Sequence, residues 1–284
     1  MKTFIHSTNP KHKIFYCVVN NKKEPFYLPN RLAKVFLTIL KKGILVDFEV
    51  GQPIKRIIND NIVHVYPVSH FNLIVQTKPK RVLYDLKQLR LDMKKVLKKY
   101  QHFLFLDLEM SMPGYRRGPH IPEIIQVGYI LSDKKGEVLK DNGYFVRALK
   151  EDAINKRTIK FLDLDENKYF GKAIDYDLFY NDLEDIMKAY KPQIVTWGKN
   201  DIQALNISYE LHKVKPLTND KQFIDLLKLH KDYFNLPNDI GLFDAYKKYY
   251  KPEEILIQDH DARMDAIITK DVFDAFMNLM HSTK

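Results

Sequence analysis

The chain has 284 residues, 45% hydrophobic and 29% charged, a balance that excludes disordered and collagen-like chains and suits one large or two modest domains. A single cysteine, Cys17, excludes an internal disulfide and an all-cysteine zinc site and fits a reducing cytoplasm. The net charge of +10 is unevenly spread, with 20 basic against 6 acidic side chains in residues 1–100 and 26 against 30 in residues 101–284, so two functional parts are expected: a basic one that concentrates a polyanion and an acidic one whose carboxylates hold divalent metal ions.

The N-terminal MKTFIHSTNPKHKIFYCVV has a lysine but no continuous apolar run or small-residue cleavage site. No segment approaches the ~18 apolar residues of a membrane helix, so the chain reads as neither secreted nor anchored, and cytoplasmic. Residues 13–82 are short apolar runs broken by turns. KIFYCVV, GILVDFEV, KRIIND, NIVHVYPV and FNLIVQ read as strands. NRLAKVFLTILKKG reads as a helix, with Leu32, Val35, Phe36, Ile39 and Leu40 on one stripe and Gly43 as its stop. Residues 1–82 are thus expected to form a small basic, β-rich α+β or barrel-like domain of no recognised family. Residues 83–100 read as a linker helix, with Val82, Leu86, Leu89, Met93, Val96 and Leu97 on one apolar stripe.

From residue 101 the pattern alternates strand and helix. HFLFLDLE is a continuous apolar run, as in a central strand covered on both faces. EIIQVGYIL and EVLKDNGYFVRAL read as further strands joined by SDKKGE. A helix over Tyr176–Tyr190 precedes the strand PQIVTW. Then come a helix over Asn200–His212, the segment KQFIDLLKL, a helix near Gly241–Tyr250 and a last helix from about Asp261 to Met280. This order predicts an α/β fold with a mixed sheet and helices on its faces.

Asp107 and Glu109, two apart in the first of these strands, point to one face of the sheet. Uncompensated like charges there are expensive, and a divalent cation is their natural partner. Asp47 with Glu49, and Asp163 with Asp165, repeat the spacing, so the pair alone decides nothing. Asp201 shares a helical face with Ala204, Leu205, Ser208 and Leu211, which puts it on the inward stripe. Asp265 is in register with Ile268, Val272, Phe276 and Leu279 at the top of the last helix. His260 lies five residues earlier, at the helix entry that Asp259 or Asp261 caps, a place that favours proton transfer.

D-x-E on a first strand, an aspartate after W-G-x-x and a C-terminal H-x-A-x-x-D together resemble the three motifs of the DEDDh exonuclease superfamily, the group of proofreading exonucleases and RNase T. The resemblance spans residues 103–280. LEMSMPG, PEIIQVG and TWGKND look most like the KapD-like and histone-mRNA exonuclease branch. Asp47 and Glu49 lie outside this span. His260, with Asp261 where the sister DEDDy class carries tyrosine, marks the histidine type.

The resemblance implies a ribonuclease H-like, five-stranded mixed sheet flanked by helices over residues 101–284. It also implies a metal-dependent 3′-to-5′ exonuclease that releases nucleoside 5′-monophosphates from single-stranded nucleic acid, RNA slightly ahead of DNA. Two Mg²⁺ or Mn²⁺ ions would then serve the reaction, favoured over zinc by oxygen donors. Asp107 would bridge both ions, Glu109 and Asp265 would complete one site, Asp201 would hold the second through water, and His260 would be the general base. In the loop MSMPGYRRGPHI, Met110, Ser111 and Met112 are candidates to meet the terminal nucleotide, and Arg116 and Arg117 its phosphates. Trp197 reads as core. Homodimers occur in this group, but no residue here argues for one. The competing reading is an inactive nucleic-acid-binding or scaffold protein on the same fold. The absence of a G-x-x-x-x-G-K-[ST] loop, G-x-S-x-G and H-E-x-x-H excludes several other enzyme classes.

Overall fold

The computed structural model describes residues 1–115, 120–250 and 260–282. They divide into two compact units, residues 1–93 with 233–237, and residues 94–232 with 238–284.

The first unit contains β1 (Lys2–Asn9), β2 (Ile14–Val19), β3 (Lys22–Tyr27), α1 (Asn30–Phe36), β4 (Leu45–Val50), β5 (Ile54–Ile58), β6 (Asn61–Thr77), β7 (Lys80–Asp85) and the start of α2 (Leu86–Leu97). Five strands close on themselves. β1 pairs with β2 and β4, β2 with β3, β3 in parallel with β6, and β6 with β4. A ring in the order β1-β2-β3-β6-β4, with a helix between its third and fourth strands along the chain, is the connectivity of the five-stranded Greek-key barrel of the OB type. Inward-pointing residues of four ring strands, Phe15, Phe26, Phe48 and Phe71, fill it with aromatic rings whose centroids lie 4.9–6.2 Å apart. Cys17 is buried with them.

Three local expectations for this unit need correction. The helix from Asn30 stops at Phe36 rather than running to Gly43. The amides of both Ile39 and Leu40 bond the Phe36 carbonyl, so the chain tightens into turns that bury Leu40 while leaving Val35 exposed. NIVHVYPV and FNLIVQ are one strand, β6, and Pro67 sits where β6 leaves β5 and joins β4, opposite Tyr27 of β3. The helix after residue 82 begins at Leu86, because residues 80–85 pair with β6 as a strand.

The second unit contains β8 (His102–Met110), β9 (Ile124–Asp133), β10 (Val138–Phe145), α3 (Lys156–Phe161), α4 (Glu166–Lys172), α5 (Tyr176–Tyr190), β11 (Gln193–Thr196), α6 (Asn200–Leu211), β12 (Phe223–Asp225), α7 (Leu226–Phe234, whose last two residues group with the first unit), α8 (Leu242–Tyr249) and α9 (Ala262–Ser282). Its five-stranded mixed sheet has the order β10-β9-β8-β11-β12, antiparallel from β10 to β8 and parallel from β8 to β12. β8 is central, as its unbroken apolar run predicts. Leu104, Leu106 and Leu108 face the core shared with Phe179, Leu183 and Ile186 of α5. Phe103 and Phe105 face the other way, toward α9. Asp163 and Asp165 are no strand pair. Asp163 occupies a left-handed turn at φ +45°, and Asp165 caps α4 by accepting the Lys168 amide at 3.0 Å. Among the described residues, no helix is long and apolar enough to cross a membrane.

Candidate active site

Period-two alternation on β8 places Phe103, Phe105, Asp107 and Glu109 on one face. The rings of Phe103 and Phe105 lie 4.8 and 5.3 Å from that of Phe273 on α9. From Phe105 to Glu109 the strand advances four residues, roughly 13 Å. From Phe273 back to Asp265 the helix covers eight residues, roughly 12 Å. These matched lengths bring Asp265 alongside the strand carboxylates, and oxygens of Asp107, Glu109 and Asp265 all lie within 4.8 Å of one another.

The approach depends on Gly128. It stands opposite Asp107 on β9, and a Cβ built there would lie 2.1 Å from the carbonyl carbon of Ala262, the first residue of α9. Asp261 caps that helix, its Oδ1 accepting the Met264 amide at 3.0 Å. His260 precedes the cap with a left-handed backbone, φ +47°. Its Nδ1 is 3.6 Å from Glu109 Oε1, and its ring lies 4.6 Å from that of Phe161 at the end of α3.

Asp201 reaches the site from the other side. β11 runs parallel to β8, Gly198 turns the chain at φ +99°, and Asp201 falls in the first turn of α6. Its Oδ1 accepts the Leu108 amide at 3.0 Å, between Asp107 and Glu109. Four carboxylates from one strand end and two helix starts thus gather at the carboxyl edge of the parallel part of the sheet, the usual place for a site in an open α/β sheet.

Asp201 and Asp265 are 6% exposed and Glu109 9%. Burial first, then neighbouring carboxylates, pushes Asp107 well above the usual range. The same causes push Glu109 up to about 8. Burial also pushes Asp201 up to about 7, although the Leu108 amide opposes the shift. The largest charges acting on Asp107 and Glu109 are all other carboxylates. Such a group of hard oxygen donors fits Mg²⁺ or Mn²⁺, which would replace proton uptake as the source of neutralisation.

The remaining sequence candidates are placed less directly. Met110 packs partly against the core. Ser111 is buried, and its hydroxyl accepts the Glu123 amide at 3.0 Å, so it holds the loop. Met112 is half-buried; its amide bonds Thr158 and its carbonyl accepts from Asn155. Arg116, Arg117 and Asp259 lie outside the described residues. Trp197 is half-buried and donates to the Ile240 carbonyl at 3.1 Å. Sequence reasoning missed Phe161, whose place on a short, weakly patterned helix gives no signal. It also missed a cleft of about 450 Å³ beside His260, lined by Gln126, Phe145, Lys168, Arg263 and Asp265 among others, large enough for a nucleotide.

No family model matches the sequence, and no curated protein matches it. Solved structures do match. The nuclease domain of 3′hExo, a DEDDh family member bound to rAMP, aligns over 65% of this chain and 94% of that one with 16% identity and a TM-score of 0.55. Cell-death related nuclease 4 (CRN-4) aligns over 63% and 64% with 15% identity and a TM-score of 0.53. E. coli exonuclease I in complex with a dT13 oligonucleotide aligns over 64% and 42% with 16% identity and a TM-score of 0.50. The second unit therefore has the ribonuclease H-like fold of DEDDh exonuclease domains.

Proposed function

We propose that this protein is a metal-dependent 3′-to-5′ exonuclease that shortens single-stranded nucleic acid one nucleotide at a time, releasing nucleoside 5′-monophosphates. The observation that carries this reading is the close group of half-buried Asp107 with buried Glu109 and Asp265, with His260 3.6 Å from Glu109, on a fold that the structures above use for nucleases. RNA is the favoured substrate, since 3′hExo was solved with rAMP and a 3′-exonuclease with a histone mRNA stem-loop. The dT13 bound to exonuclease I keeps DNA in the test.

Asp107, Glu109 and Asp265 would hold the cations, with Asp201 assisting through water. When bound, such ions lower the pKa of a water and offset charge on the phosphate and the leaving oxygen. The chain's own work is arrangement. Asp201, by accepting the Leu108 amide, ties the end of β8 to α6 and so fixes the strand that carries two of the carboxylates. Glu109 near its Nδ1 and the Phe161 ring beside it set the plane of the His260 imidazole. His260 takes the proton of the attacking water as general base. The cleft beside it accepts the terminal nucleotide.

The test offers the purified protein 5′-labelled single-stranded RNA and DNA with Mg²⁺, Mn²⁺ or EDTA. A ladder of single-nucleotide steps, abolished by EDTA and by Asp107→Ala, is expected. Tight binding with no shortening under any metal would replace this reading with that of a binding protein.

A further inference from the structure

We propose that Glu123 is a positioning residue for His260, acting through the segment that carries Phe161, an assignment that rests on the hydrolytic reading. Glu123 stands one residue before β9 and is 2% exposed. A carboxylate is costly to bury, so where its bonds go matters. Its Oε2 accepts the Leu149 amide at 2.5 Å and the Lys150 amide at 3.4 Å. Lys150 leads a 3-10 turn, Glu151–Ala153, and its carbonyl accepts the Ala153 amide at 3.1 Å. The backbone of Glu123 is bound separately to the loop after β8. Its carbonyl accepts the Ser111 amide at 2.8 Å, and its amide donates to the Ser111 hydroxyl at 3.0 Å.

The two segments that Glu123 joins meet again at Thr158. The Thr158 hydroxyl accepts the Met112 amide at 2.9 Å and donates to the Ala153 carbonyl at 2.9 Å. Asn155 caps α3 by accepting the Arg157 and Thr158 amides, and it donates to the Met112 carbonyl at 2.7 Å. The bonds close a ring that runs from Glu123 through Ser111, Met112, Thr158, Ala153 and Lys150 back to the carboxylate. About one turn beyond Thr158, α3 ends at Phe161, whose ring lies 4.6 Å from that of His260. Phe161 is itself 46% exposed, so apolar packing fixes it weakly and the bonded start of its helix sets where it stands. Glu123 supplies the carboxylate of that ring, and hydrogen bonds to a charged acceptor are the strong ones.

The test compares Glu123→Ala, Glu123→Gln, Phe161→Ala and the double variant Glu123→Ala with Phe161→Ala. Hydrogen exchange of the metal-free chain comes first. Glu123→Ala is expected to speed exchange of the Leu149 and Lys150 amides and of α3 by about tenfold or more, with α9 and the sheet unchanged. Steady-state cleavage of a dinucleotide at fixed Mn²⁺ is expected to show kcat lowered about tenfold or more, with KM held within about twofold. Glu123→Gln, which keeps an oxygen for both amides, is expected to recover most of that loss. Because Glu123 and Phe161 act in series on one imidazole, the double variant should fall no further than the worse single one. Losses that multiply in the double variant, exchange quickened throughout the unit, or an unchanged kcat with α3 loosened would each overturn the proposal. A chain that cleaves nothing under any metal would overturn the hydrolytic reading and this role with it, whereas an unaltered exchange pattern in a chain that does cleave would overturn this role alone.

Discussion

His260 is held by two neighbours, Glu109 at 3.6 Å and the Phe161 ring at 4.6 Å, and that arrangement separates two kinds of loss. Removing the imidazole in His260→Ala should lower turnover by about 10²–10⁴, the usual worth of a positioned base, while leaving the dissociation constant of a labelled strand within a few fold. Equal losses in both would remove the assignment. Phe161→Ala takes away only the ring that orients the imidazole, so a smaller fall in kcat is expected. The carboxylates carry a second prediction, and its sign follows from linkage. In the folded, metal-free chain Glu109 is raised from 4.5 to about 8 and Asp201 from 3.8 to about 7. The folded state therefore holds more protons than the unfolded one across that window. This contribution to stability is fully present below pH 4 and is lost as pH rises through 7 to 8. Thermal melts in EDTA should show Tm falling from pH 5 to pH 8, and Mn²⁺ should reverse the fall, because bound metal displaces those protons. A melting temperature independent of pH and of metal would contradict the buried group. These acids were legible in the sequence because their chemistry needs charge on inward stripes. Phe161 was not, since its contact with His260 is made across the fold and leaves no pattern in its own segment.

At the scale of elements, the site exists because α9 lies against β9 with backbone touching backbone. Gly128→Ala would set a methyl 2.1 Å from the Ala262 carbonyl carbon, and neither backbone yields without moving the helix start that carries His260 and Asp265. A destabilisation of about 1–3 kcal/mol, the usual cost of overpacking, and near-complete loss of activity are expected. Gly171→Ala provides the contrast, because a Cβ there meets nothing within 4 Å. Comparable melting temperatures and activities for the two variants would show that backbone approach at Gly128 does not set the site. The elements themselves were legible where one pattern dominates. β8 is an unbroken apolar run and α5 a full amphipathic helix, and both fall where their sequences put them. The expected helix from Asn30 ends early because turns bury Leu40 without the helix and leave Val35 of the same stripe exposed. β7 was hidden because Val82 continues the apolar spacing of α2, and only its partner β6 reveals it as strand.

Across the whole molecule the charge is segregated by unit. Residues 1–93 hold 16 basic and 6 acidic side chains, whereas residues 94–284 hold 30 of each. A polyanion bound by this protein would therefore gain its counterion-release energy from the first unit, while the group proposed to cut it sits in a unit of no net charge. Length of substrate separates the two contributions. A dinucleotide offers too few phosphates to engage the basic unit, so its KM should change little with salt. A long single strand that engages about four phosphates there should follow a slope of about −3 in log affinity against log salt, close to fifty-fold between 50 and 200 mM. Steady-state kinetics on both substrates across that range, at fixed metal, checks the difference. Parallel salt dependence for dinucleotide and long strand would mean that the charge of residues 1–93 takes no part in holding substrate, and that its lysines serve only to solvate the barrel.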